Sequence, residues 1–260
     1  MLRKRLTPRR ARGNPVRSSN FELLAQPNVL AGQRLAVALL CAGLLAPIVF
    51  APFVIWAGTV TPGYSHISST FSDSAAQGQP HPEIMGIGLL LLGILLAFFA
   101  IGCLLTFPRY NRLIFAPLLL TAFAIGGTGM FHDYSRMPGS PRNLEGFLHN
   151  TFAVMAILSA VTATLLSGLA ARKQPGWSHL FLPAIGFALG AGTCGYLFEN
   201  VSDARDGLAE RGFAMFALSW VVIVALTALS SVDEPRISRL LIVPFAPNPI
   251  RDSSAPTDRA

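Results

Sequence analysis

An all-α, polytopic membrane bundle of six transmembrane helices is the fold class this sequence predicts, and three observations predict it. Six apolar stretches contain no Lys, Arg, Asp or Glu, and each is close to the roughly 20 residues needed to cross hydrocarbon. Only 13% of the 260 residues are charged against 52% hydrophobic, with a mean hydropathy of +0.51. A water-facing surface needs far more charge, whereas lipid-facing helices need none. The basic residues, finally, segregate to alternate connections between the stretches, as they do when Lys and Arg resist translocation.

Residues 1–34 form a basic tail in which Arg3, Lys4, Arg5, Arg9, Arg10, Arg12 and Arg17 suit an anionic inner leaflet. The first apolar stretch starts only at Leu35 and is long enough to span, so the tail does not read as a cleavable signal. Its Arg-rich, acid-poor composition is also that of an organelle transit peptide. The membrane domain, residues 35–232, divides into spans at 35–56, 84–107, 113–131, 147–171, 180–198 and 212–232. Residues 233–260 form a second tail, with the short apolar stretch Leu240 to Phe245 suited to an interface and a polar end.

Orientation follows from counting. With the N-terminus cytoplasmic, sixteen of the twenty Lys and Arg residues lie inside, while Arg136, Arg142, Arg205 and Arg211 lie outside. Six spans then return the C-terminus to the cytoplasm. Eight of the thirteen acids fall in the three outer connections, which are longer and more polar than the inner ones. The pI of about 10.0 thus reflects tail retention, not nucleic-acid binding. Cys41, Cys103 and Cys194 all lie in apolar stretches without metal-ligand spacing, as packing thiols do. Gly126, Gly127 and Gly129 in the third span, and Gly186, Gly190 and Gly195 in the fifth, predict close helix approach. Pro47, Pro52, Pro117 and Pro183 predict bends.

This topology puts several polar residues at one depth near the outer helix ends: His132 and Asp133, His149 and Asn150, Glu199 and Asn200, Glu210 and Arg211. The first outer loop adds Tyr64, His66, Ser68, Ser69, Ser72, Asp73 and His81. Such side chains face lipid only at high cost and turn toward one another or toward a wet cavity. Two chemistries fit them. His132, His149, Asp133 and Asp73 have the nitrogen and oxygen donors of a zinc-type divalent site with an activated water, and Glu210 joins His132, Asp133 and His149 as an acid or base. Alternatively Ser69 or Ser72 is a nucleophile with a His as base and a carboxylate to orient it. Set against both is structural hydrogen bonding by the histidines, helix-dipole pairing by Glu210 and ordinary loop composition for the serines.

The order of the short motifs Pro62-Gly63-Tyr64-Ser65-His66-Ile67-Ser68, Ser72-Asp73, Phe131-His132-Asp133, Leu148-His149-Asn150 and Gly207-Leu208-Ala209-Glu210-Arg211 resembles that of a bacterial six-span membrane family, domain of unknown function 998. The resemblance covers roughly Leu35 to Val232. It implies the fold and a bacterial inner-membrane location, and no reaction. Where that family has an Ile-Ser-Glu-type stretch, Ile67-Ser68-Ser69-Thr70 lacks the acid and Asp73 is the shifted alternative. Three function classes follow: a lipid-modifying or hydrolase-like enzyme acting on a lipid or lipid-linked substrate, a non-catalytic accessory, sensor or assembly protein, and a transporter. The last is disfavoured because no ionisable residue of the Lys, Arg, Asp or Glu type lies at mid-membrane.

Overall fold

Leu, Ala, Ile and Phe dominate the apolar stretches, and a backbone in hydrocarbon must bond within its own segment, which makes helix the solution for each. In the computed structural model, which describes residues 27–106, 111–134, 142–174, 176–200 and 203–232, they are helical except at their ends, Phe131 and Val232 lying just past the last helical residue. The elements are α1 (Pro27–Val60), α2 (Phe71–Ser74), α3 (Pro82–Thr106), α4 (Asn111–Met130), α5 (Leu144–Ala171), α6 (Phe181–Asn200) and α7 (Asp206–Ser231). Single 3-10 turns sit at Ser178–Leu180 and Asp203–Arg205. Among the described residues there is no strand, only an isolated parallel bridge between Ala76 and Asp133.

Five of the helices are long and apolar enough to cross a membrane: Ala31–Val60, Pro82–Thr106, Leu144–Ala171, Ser178–Phe198 and Asp206–Ser231. The expected third span, in α4, has a shorter apolar core, Phe115–Met130. Several helices start before their uncharged stretch does. α1 begins at Pro27, where proline suits a first helical position, and α5 and α7 take in Glu145 and Asp206 in their first turns, where acids favour the helix dipole. Pro47, Pro52 and Pro117 lie inside helices, whereas Pro183 falls in the first turn of α6, where no intrahelical bond is lost. The tails at 1–26 and 233–260 and the inner turn at 107–110 lie outside the described residues.

Within residues 34–233 the helices pack in sequence, α3 on α4, α4 on α5, α5 on α6 and α6 on α7, and α1 lies against α3 through Gly43 and Phe99. The α3–α4 seam is closest. A β-carbon added at Gly93 would lie 2.7 Å from the Ala122 carbonyl oxygen and 2.8 Å from Gly126 N, and one at Gly86 2.8 Å from the Gly129 carbonyl. Backbones approach this closely only where side chains are absent. Gly127, Gly190 and Gly195 likewise receive Phe152, Phe216 and Ile157, while Gly186 meets nothing within 4 Å.

The inward faces are small and apolar, with Leu40, Ala46, Met85, Leu96, Phe99 and Ala100 at 4% exposure or less, whereas Ile48, Leu182 and Leu189 are 65–73% exposed. The outward large apolar residues recur on every long helix. A surface like that is untenable in water and is what a helix shows to lipid.

Candidate functional site

The helix ends that gather the polar residues are the C-terminal ends of α1 and α4 and the N-terminal ends of α3, α5 and α7. Between α1 and α3 the loop 61–81 folds over this end. Its short helix α2 is fixed by a capping box. The Thr70 hydroxyl accepts from Asp73 N at 3.0 Å and an Asp73 carboxylate oxygen accepts from Thr70 N at 2.7 Å. The Phe71 ring packs edge-on against Phe50 of α1 with centroids 5.5 Å apart.

The start of α7 holds the same loop from the other side. Glu210 accepts a hydrogen bond from Phe71 N. Leu208 N donates to the Ile67 carbonyl at 2.9 Å. Arg211 donates from Nη1 to the carbonyls of Ser69 (2.9 Å) and Gly207 (2.7 Å), and from Nη2 to the Tyr64 hydroxyl and His66 Nδ1 (3.1 Å). Its guanidinium also lies over the rings of Tyr64 and Phe71, 5.6 and 5.0 Å from their centroids, the stacked geometry that suits Arg and not Lys. Gly207 is required here, since a β-carbon would sit 2.3 Å from the Ser69 carbonyl oxygen. Burial raises the Tyr64 phenol above its ordinary value, an effect that Arg211 partly offsets.

This bracing sets Ser72 against α5. The Ser72 hydroxyl lies 2.8 Å from Nε2 of His149, and Nδ1 of His149 lies 2.8 Å from the carbonyl oxygen of Phe131 at the end of α4. A carbonyl only accepts, so Nδ1 carries a proton. In neutral imidazole Nε2 is then the acceptor, and Ser72 donates to it. His149 is fully buried and Ser72 is 9% exposed. This is the hydrogen-bond order of a serine nucleophile and its base, with a backbone carbonyl in place of the usual carboxylate.

The other expected residues sit around this pair in separate arrangements. His132 donates from its backbone N and from Nδ1 to one oxygen of Glu145, at 3.0 and 2.6 Å. Asp133 is buried, accepts from Tyr134 N through Oδ1 (2.7 Å), and its carbonyl accepts from Gln77 N (3.1 Å). Asp73 serves the α2 cap. Among the described residues no three His, Cys, Asp or Glu side chains form a group that could hold a metal ion. For His149 to ligate one, it would have to give up Ser72 or the Phe131 carbonyl. Ser69 is held in the loop, its hydroxyl accepting from Ser65 N at 3.1 Å. His66 reaches Arg211, His81 pairs with Glu83 at 3.2 Å, and Asn200 bonds its own helix at the Tyr196 carbonyl. The Glu199 side chain lies outside the described atoms.

Three participants have little or no signature in the sequence. Glu145 partners His132 and lies within electrostatic range of His149. It follows Asn143, whose side chain caps α5 by accepting from Gly146 N at 3.0 Å, and that cap pattern is the one local signal for its place. Gln77 joins Asn143 by two side-chain hydrogen bonds, 3.2 and 2.6 Å. The Phe131 carbonyl is backbone and has no residue-type signal at all.

An all-helical bundle with a lipid-type exterior and a buried polar cluster at one end is an integral membrane protein. More particularly, the chain belongs to the family described as protein of unknown function (DUF998), whose sequence profile matches residues 44–227. That match takes in Ser72, His149, Glu210, Arg211 and the Phe131 carbonyl. No curated protein and no solved structure matches the chain.

Proposed function

We propose that this protein is a membrane-embedded acyl-transfer enzyme of the hydrolase type, with Ser72 as nucleophile and His149 as general base. The observation that carries the reading is the fixed chain from Ser72 Oγ–H to His149 Nε2, and from Nδ1–H to the Phe131 carbonyl. Ser72 Oγ attacks the carbonyl carbon of an ester while its proton passes to Nε2. The tetrahedral adduct then collapses, the carbon–oxygen bond to the alcohol breaks, and the departing oxygen takes the proton from His149. Water repeats the sequence on the acyl-serine and releases the acid. A carbonyl orients the ring as a carboxylate does but offsets the imidazolium charge less. Glu210 is a positioning residue, holding the backbone next to Ser72.

The reading places six spans in a bacterial inner membrane, both termini cytoplasmic and the site on the outer side. Helix α4 has 20 residues, about 30 Å at 1.5 Å per residue, which matches a hydrocarbon core. The Lys and Arg distribution supports the orientation. A zinc-type centre on His132, His149, Asp133 and Asp73 is the less supported chemistry, because each already has a protein partner.

The alternative, a non-catalytic accessory or sensor protein, draws on the density of ties between α7 and the loop, Arg211 above all. Labelling of purified protein with a fluorophosphonate, which phosphonylates activated serines, separates the two. The enzyme reading expects covalent label on Ser72, its loss in Ser72→Ala and in His149→Gln, and its retention in Ser69→Ala. Folded protein that takes no label, or that is labelled equally after Ser72→Ala, would leave the non-catalytic reading standing.

A further inference from the structure

Between the helices lies a partly open, largely apolar cavity, with Ser72 and Glu210 at one end and Cys103, Ser167 and Val224 at the other. Its wall runs from Leu89 to Cys103 on α3, from Ala153 to Ser167 on α5 and from Glu210 to Val224 on α7. Each of these runs is about 21 Å long at 1.5 Å per residue. Ser72 is therefore both the serine bonded to His149 and part of the cavity wall.

The wall is more apolar than its residue types suggest. Thr121, Thr128 and Thr164 each donate their hydroxyl to a carbonyl one turn back in their own helix, at 2.9 Å, and Ser167 donates to the Thr164 carbonyl at 2.7 Å. Ser167 also accepts from the Trp220 indole at 2.7 Å. These groups place no demand on an occupant. Polar groups are left for it at the Ser72 and Glu210 end.

An occupant must accordingly be long, flexible and apolar, with a carbonyl at one end. The cavity is longer than one leaflet of a bilayer core, about 15 Å. We infer that it holds a single acyl chain of a membrane lipid ester, with the ester carbonyl at Ser72 and the chain running toward Ser167 and Val224. For the chemistry at Ser72 this rests on the acyl-transfer reading; for the binding of the chain it does not. Lipid tails surround the protein already, so chain burial gains no hydrophobic free energy. Selection comes from fit: chains are accepted up to the length of the cavity and rejected beyond it.

The test uses the full chain in detergent with two photoreactive fatty acids, one octanoyl and one hexadecanoyl, each with a diazirine near the chain end. The long probe is expected to crosslink near Ser167 and Val224, in wild type and in Ser72→Ala alike. Ala160 stands midway along the α5 wall, so Ala160→Phe leaves about 10 Å of depth. It should cut long-probe crosslinking about tenfold while sparing the octanoyl probe. Because an added ring can impair folding, Val224→Ala provides the opposite change and should increase labelling by a third probe of the same design with an octadecanoyl chain, and unchanged labelling there would contradict a length limit set at Val224. Crosslinks confined to the outward residues Leu158 and Leu165, or equal losses of both probes in folded Ala160→Phe, would overturn the inference. Crosslinking in the cavity without any acyl or phosphonyl adduct on Ser72 would uphold the chain site and remove the enzymatic reading.

Discussion

Replacing Arg211 by Lys keeps the charge and removes the fork. The guanidinium makes four hydrogen bonds, to the carbonyls of Ser69 and Gly207, the Tyr64 hydroxyl and His66, and covers two aromatic rings. A single ammonium on a different stem can keep one or two of those bonds. Two lost hydrogen bonds at about 1 kcal/mol each, with about 0.5 kcal/mol of weakened stacking, come to between 2 and 3 kcal/mol of loop docking. At 1.4 kcal/mol per tenfold change, the loop should open about 30- to 140-fold more often. Amide hydrogen exchange measures this directly, since Phe71 N and Leu208 N bond across the contact between the loop and α7. Exchange at these two amides should rise by that factor, with α3 to α6 unchanged. Unchanged exchange at Phe71, or a uniform rise throughout the bundle, would refute the view of Arg211 as the clamp of this loop.

Two further outcomes follow from close packing and from burial. Gly93→Ala should lower the thermal midpoint by the equivalent of about 1–3 kcal/mol, because its β-carbon meets backbone that cannot yield, 2.7 Å from the Ala122 carbonyl. Gly186→Ala, which meets nothing within 4 Å, should be neutral or slightly stabilising, and equal effects at the two sites would contradict the seam. The Tyr64 phenol has its folded-state value raised by burial, so it binds its proton more tightly when folded. Its contribution to loop docking is then complete below the unfolded value of about 10 and is lost as pH rises through the raised one. Ultraviolet difference titration should show one tyrosine ionising late, and Tyr64→Phe should remove that phase.

The helices were legible because the property that makes a span, an uncharged apolar run, is written in consecutive residues. Their starts were less so. Glu145 and Asp206 end an apolar run yet favour a helix N-terminus, so composition and helix formation disagree by about one to two turns at those positions. The candidate residues were legible as a set, since His132, Asp133, His149 and Glu210 all lie where helix ends meet at one face. Their pairing was not. His149 takes Ser72 from a loop 77 residues away and a carbonyl from α4, while His132, 17 positions earlier in the chain, takes Glu145 instead. Whether neighbouring side chains converge depends on helix rotation, and rotation is set by which small residues let backbones approach.

The sequence by itself determined that this is a helical membrane protein, because a hydrocarbon solvent admits so few ways to satisfy a backbone. It also determined the family, through the order of short motifs whose residues prove to touch one another. Only the tertiary structure decided that Ser72 rather than Ser69 faces a histidine, that Arg211 and Glu210 brace the loop that carries it, and that a cavity lies beneath. Those facts depend on contacts between residues distant in sequence, and they rest on a backbone carbonyl and a space left between helices, neither of which any residue type encodes.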